Sequence, residues 1–223
     1  MTLDERARQA IYDAVVHKSP LSSDILALPG MSSDKVRHFL CNLCAFSQCR
    51  YLEVGTWQGS TLLSSMSTQS AECYWVIDNW SEWGQTVPGQ PSIREQFMQH
   101  YARHMAYPGS KWPEPRIIEQ DFKSVSFLPG NSHSISSVNV FFYDGAHDET
   151  SQYQALEKAL PAMADPFVFI VDDWNHEPAR VGTERAISDL GLHAIYHAAL
   201  PANGNADREL WWNGLGVYVL HRY

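Results

Sequence analysis

Residues 51–62 read YLEVGTWQGSTL, and they bring together the residue types a nucleotide-like ligand needs. An apolar run carries Glu53, then Gly55 and Gly59 follow, then Ser60 and Thr61, which can open a helix. A strand, a glycine turn and a helix start in that order let backbone N–H groups approach a ligand, because glycine has no Cβ in the way. Acids recur after later apolar runs: Asp78 in VIDNW, Asp121 in IIEQDF, Asp144 in FFYDGAH, and Asp172 with Asp173 in FIVDDWN. A carboxylate after the second run suits the vicinal hydroxyls of a ribose, since it can accept two O–H bonds. One after the third can accept from an adenine amino group. His147 lies three residues beyond Asp144 and has an intrinsic pKa suited to deprotonating a hydroxyl near neutrality. Each has a plainer use: glycines make tight turns, Asp after a strand caps a helix, and a histidine can simply face solvent.

The elements that would position these residues follow from periodicity. Strands are expected at Tyr51–Val54, Cys73–Ile77, Arg116–Glu119, Val138–Tyr143 and Phe167–Val171. Helical patterns lie near Ser60–Ser67, Ile93–Tyr107, Ser151–Met163 and Arg180–Leu190. Apolar strands alternating with helices make a doubly wound, mostly parallel α/β sheet covered on both faces. The last two runs, Leu192–Leu200 and Gly214–Tyr223, have no helix between them and form an antiparallel hairpin, giving seven strands. Ahead of the sheet, helices are expected over Leu3–His17 and from Asp34 to about Ser47. The chain therefore divides into a helical segment, 1–48, packed on a domain at 49–223. An insert at about 79–115 holds Trp80, Trp83, Pro88, Pro91, Trp112 and Pro113, and reads as a binding loop. Trp80, Trp83, Trp174, Trp211 and Trp212 are candidates for a pocket wall, with core packing the alternative.

The formal net charge of -9 and the lack of a Lys/Arg run argue against a nucleic-acid or anionic-membrane surface. No apolar run reaches the ~20 residues of a membrane helix, and the charged N-terminus is unlike a signal peptide, so a cytoplasmic location is expected. Cys41, Cys44 and Cys49 lie close together, but without a fourth ligand they read as buried free thiols, as does Cys73.

Glu53-x-Gly55-x-x-x-Gly59, Asp78, Asp121 and the closing hairpin resemble the class I S-adenosylmethionine-dependent methyltransferases, over about Tyr51 to Tyr223. The resemblance implies a Rossmann-like methyltransferase fold. It also implies S-adenosylmethionine held by Glu53, Gly55, Thr56, Trp57, Gly59, Ser60, Asp78, Asn79, Asp121, Phe122 and Asp144. Trp57 stands where many members carry a further glycine, which is closer to the catechol and macrocin O-methyltransferase-like groups. In those groups Mg²⁺ is held by acids matching Asp144, Asp172 and Asp173, an oxygen set that suits the ion. The macrocin type often carries a second acid two residues after the first, where this chain has Ala146. The implied activity is methyl transfer to a small-molecule acceptor, at a hydroxyl oxygen, with Asp144 and His147 at the catalytic centre. A nicotinamide-dependent dehydrogenase would want Gly-x-Gly-x-x-Gly, and a non-catalytic domain that keeps the fold is the remaining alternative. Self-association is left open.

Overall fold

The computed structural model describes residues 1–81, 89–106 and 113–222. Trp83, Pro88 and Trp112 lie outside them. The elements in chain order are α1 (Leu3–Val15), α2 (Ser23–Leu26), α3 (Asp34–Leu43), β1 (Arg50–Val54), α4 (Ser60–Met66), β2 (Cys73–Ile77), α5 (Ile93–Met105), β3 (Arg116–Ile118), β4 (Val138–Tyr143), α6 (Glu149–Ala159), β5 (Met163–Asp172), α7 (Glu177–Asp189), β6 (Leu192–Leu200) and β7 (Leu215–Arg222). They build a seven-stranded sheet in the order β3-β2-β1-β4-β5-β7-β6. Its first five strands are parallel, and β7 pairs antiparallel with both β5 and β6. Chain order reverses between β1 and β4, so their carboxyl ends flank the crevice where open α/β sheets take ligands.

Alternate residues of each central strand feed two cores. Tyr51, Tyr74, Val76, Phe142 and Ile170 face α1, α3 and α4. Leu52, Val54, Trp75, Phe141 and Phe169 face the α6 and α7 side. Burial on both faces explains why these strands read as continuous apolar runs. The N-terminal helices share the first core through Ala7, Ala10, Ala14, Val36 and Phe39.

Several element ends differ from the sequence reading. The first helix stops at Val15, and His17 takes a left-handed φ of 51°. The second stops at Leu43 rather than near Ser47. Asp148 caps α6 through the Ser151 N–H, so that helix starts at Glu149; it ends at Ala159, and Met163 opens β5 instead of closing the helix. Pro178 sits in the first turn of α7, where a missing N–H is harmless, so α7 begins at Glu177 rather than Arg180. The short α2 had no periodic signal of its own.

Gly55 ties this scaffold together. It sits at φ 83°, and a Cβ added to it would lie 1.9 Å from the Asp144 backbone oxygen. Gly55→Ala should therefore destabilise the fold by more than about 2 kcal/mol in urea denaturation, from the left-handed backbone and the clash together. A change below about 0.5 kcal/mol would show that the two turns are not in contact.

Candidate functional site

The turn after β1 is braced from below and from the side. Glu53 is fully buried; it accepts hydrogen bonds from the Tyr51 hydroxyl and from Thr61 Oγ1 at 2.9 Å. Burial raises its carboxyl to about 7, held from going higher by the hydroxyls of Tyr51, Thr61 and Thr56. From the side comes Asp78. Its Oδ2 accepts from the backbone N–H of Thr56 and of Trp57, both at 2.9 Å, and its Oδ1 from the Trp80 N–H at 2.7 Å. Trp80 returns the contact by donating its indole N–H to the Trp57 carbonyl at 2.9 Å. Trp57 and Trp80 hold left-handed φ values of 47° and 49°. One carboxylate thus clamps the β1 and β2 turns together, and Oδ1, with a single donor, keeps further acceptor capacity.

The other residues expected around a nucleoside have separate settings. Gly59, at φ 88°, opens α4 and lies against Phe97, whose ring a Cβ would meet at 2.8 Å. Ser60 Oγ lies 3.3 Å from Ser32 Oγ. Asn79 is exposed and accepts from the Ser81 N–H. Asp121 is exposed and caps the turn at Phe122–Ser124 through the Lys123 N–H, while Phe122 is buried against Tyr143. Thr56 Oγ1 and Gln58 Oε1 are buried in the loop with no hydrogen bond of good geometry, although Thr56 lies near enough to Glu53 to lower its pKa. A glycine turn with unspent polar atoms beside a carboxylate fits a polar ligand such as an adenosyl amino acid.

The second half of the site is acidic. Asp144 retains 22% of its side-chain surface, and protein packs around the rest. Burial, then the charges of Asp172 and Asp173, hold its carboxyl well above the usual range. Asp172 is almost fully buried, and burial with neighbouring Asp173 raises its carboxyl to about 8; Asp144 lies near enough to act on it as well. His147 Nε2 lies 3.6 Å from Asp144 Oδ1 and 3.5 Å from Asp173 Oδ2. Burial lowers its pKa, so the ring is neutral near pH 7. Behind it, Thr183 Oγ1 donates to Gln152 Oε1 and Gln152 Nε2 faces His147 Nδ1, each at 3.4 Å. That chain leaves the ring proton on Nε2, facing the carboxylates. Asp173, at φ 55°, accepts from Asn213 Nδ2 at 2.7 Å.

The acids do not form a ready cage for Mg²⁺. Asp173 is spent on Asn213 and His147, and no three His, Cys, Asp or Glu side chains among the described residues could hold a metal ion. The tryptophans divide. Trp174 and Trp211 are buried, packed on Tyr218 and Phe39, while Trp80 and Trp212 are only partly covered. The cysteines are free thiols, Cys41, Cys44 and Cys49 buried and Cys73 partly so. Asn213, Gln152 and Thr183 escaped the sequence reading, since each reaches the rim by tertiary contact from an element with no motif. No helix among the described residues is long and apolar enough to cross a membrane.

Comparison with known proteins places this geometry among relatives. The family model described as a methyltransferase domain matches residues 52–174. No curated protein matches the chain. Among solved structures, an O-methyltransferase from Bacillus cereus in complex with SAH is 14% identical with TM-score 0.59, covering 98% of this chain and 100% of that one. Cofactor-bound Rv0187 from MTB is 18% identical with TM-score 0.58, covering 96% and 91%. The proposed RNA methyltransferase PH1948 from Pyrococcus horikoshii is 10% identical with TM-score 0.57, covering 100% and 97%. At these identities the likeness is one of fold.

Glu53 gives a direct check on the turn. Its folded pKa of about 7 stands above the ordinary 4.5, so the native chain holds this proton more tightly than the unfolded one. Its contribution to stability is full below pH 4.5 and is lost as the pH rises through about 7. Denaturation of wild type against Glu53→Gln across that window should show a differential loss of at most about 3 kcal/mol in wild type. Parallel curves would mean that Glu53 is already solvated.

Proposed function

The chain belongs to the methyltransferase-domain family, and on that premise we propose that it is an S-adenosylmethionine-dependent methyltransferase acting on a hydroxyl of a small molecule. The observation that carries the reading is the contact of Gly55 with the Asp144 backbone, which sets proton-accepting carboxylates at the edge of the glycine turn. When bound, S-adenosylmethionine supplies an electrophilic methyl group on a sulfonium. In this reading Gly55, Thr56, Trp57, Gly59 and Ser60 receive its amino-acid end with Glu53 beneath them. Asp78 and Asn79 meet the ribose, and Asp121 and Phe122 flank the adenine. Asp144 lies between cofactor and acceptor.

The acceptor hydroxyl gives its proton to the Asp144–Asp172 pair as its oxygen takes the methyl, and the S–C bond breaks with its electrons left on sulfur. Placing the oxygen in line is most of the work, and a positioned base adds about 10²–10⁴-fold. His147 points an N–H at the carboxylates, so it steadies their charged form and is not itself the base. No step runs through Mg²⁺, because the carboxylates do not converge as a cage. An RNA acceptor, as assigned to one structural neighbour, is disfavoured by the net charge of -9.

A base with a raised pKa must lose its proton before it can act. Turnover under saturating cofactor should therefore rise with pH through about 8 and then level. Asp172→Asn should lower turnover by about a hundredfold and abolish that rise. A flat profile in wild type contradicts this base. Rates in a chelator should stay within about twofold, whereas a collapse reversed by Mg²⁺ would return a metal to the mechanism.

A further inference from the structure

β6 is the outermost strand of the sheet, and among the described residues it pairs with β7 alone. The outer row of its backbone N–H and C=O groups meets no other strand there. Such an edge is a template for a further strand, and folded chains commonly guard it with charge, proline or a bulge. β6 reads LHAIYHAAL, without Lys, Arg, Asp, Glu or Pro. A bulge between Ala194 and Tyr196 leaves Ile195 outside the ladder and 45% exposed. Beyond it the strand is regular, with Tyr196 to Leu200 opposite Val219 to Leu215 in unbroken register. The bulge therefore guards only the first half of the edge.

The regular half is complementary to itself. Antiparallel pairing about a two-fold axis at Ala198 sets Ala198 against the partner's Ala198, Tyr196 against the partner's Leu200, and His197 against the partner's Ala199. Tyr196 and Leu200 are partly buried on the core that α1 covers, so apolar groups meet on that face. On the other face His197 leans back over β7, stacked on Tyr218 with ring centroids 4.1 Å apart, and clears the edge.

Helix α1 extends the apolar margin. It packs across β5 and β7, and its Arg8 lies over the Tyr196 ring at 4.1 Å. Tyr12 and Val15 follow Arg8 at helical spacing on the same stripe and are 66% and 49% exposed. With the two-fold normal to the sheet, the α1 helices of both copies lie on one face and flank the seam. Charge selects a second copy as the occupant. Each chain carries -9, so two copies repel unless they meet where charge is sparse. This margin is such a place: β6 has no acid, lysine or arginine, and Arg8 is offset by Asp4 of its own helix at 4.0 Å.

We propose that a second copy of this chain docks on β6, pairing antiparallel along Tyr196–Leu200 about Ala198 and joining the two sheets into one. Sedimentation velocity of the full chain over a concentration series should show a species of twice the single-chain mass. Raising the salt should leave its share unchanged or increase it, because salt screens the repulsion between the two acidic chains. Ala198→Glu sets two like charges against each other on the axis and should weaken dimerisation at least about tenfold. Tyr12→Glu, at an exposed helix position, should weaken it by about threefold or more, and serves as the readout if Ala198→Glu does not fold. Wild type that stays monomeric throughout overturns the proposal and leaves the edge to an extended peptide of another protein. A dimer unmoved by both substitutions overturns it as well, since the contact would lie elsewhere. So does a dimer that dissociates as salt rises, the mark of an ion-paired interface.

Discussion

The approach of Gly55 to the Asp144 carbonyl is the constraint on which the site depends. It joins the turns after β1 and β4, neighbouring strands at the point where the sheet reverses direction. A residue with a Cβ would push these turns apart. The acid rim would then move away from the glycine turn. Parallel pairing of β1 with β4 fixes how far each strand runs before it turns, so sheet register and site geometry are one requirement.

Electrostatics builds on that frame. Glu53, Asp78, Asp144, Asp172 and Asp173 gather near one crevice, and among the described residues none of them forms an ion pair with lysine or arginine. Backbone N–H groups satisfy Asp78, hydroxyls satisfy Glu53, and His147 and Asn213 satisfy Asp173. Burial, with the charges of their neighbours, raises the carboxyls of both Asp144 and Asp172. In the proposed reading this rim takes a proton from an acceptor only once the pH has risen far enough to ionise it.

The parallel sheet and its closing hairpin could be read from the chain because each strand is a short apolar run and each connection carries a helical period. The acids at the strand ends were legible for the same reason: Asp78, Asp144 and Asp172 each follow such a run. What each acid does was less legible. Asp78 spends hydrogen-bond capacity on Thr56, Trp57 and Trp80, a use set by left-handed backbone at Trp57 and Trp80 that these residue types do not signal. The relay from Thr183 through Gln152 to His147 spans α6 and α7 and has no motif, and Asn213 returns to Asp173 from 40 residues away. Element ends failed where a local cap, such as Asp148, or a tolerated proline, such as Pro178, outweighed the apolar period.

A crystal structure of the full chain with S-adenosylhomocysteine tests the central claim most directly. The account requires the ligand at the carboxyl ends of β1 and β2, its ribose toward Asp78 and its sulfur facing Asp144. Density in another crevice, or an unfilled site at saturating ligand, would contradict it.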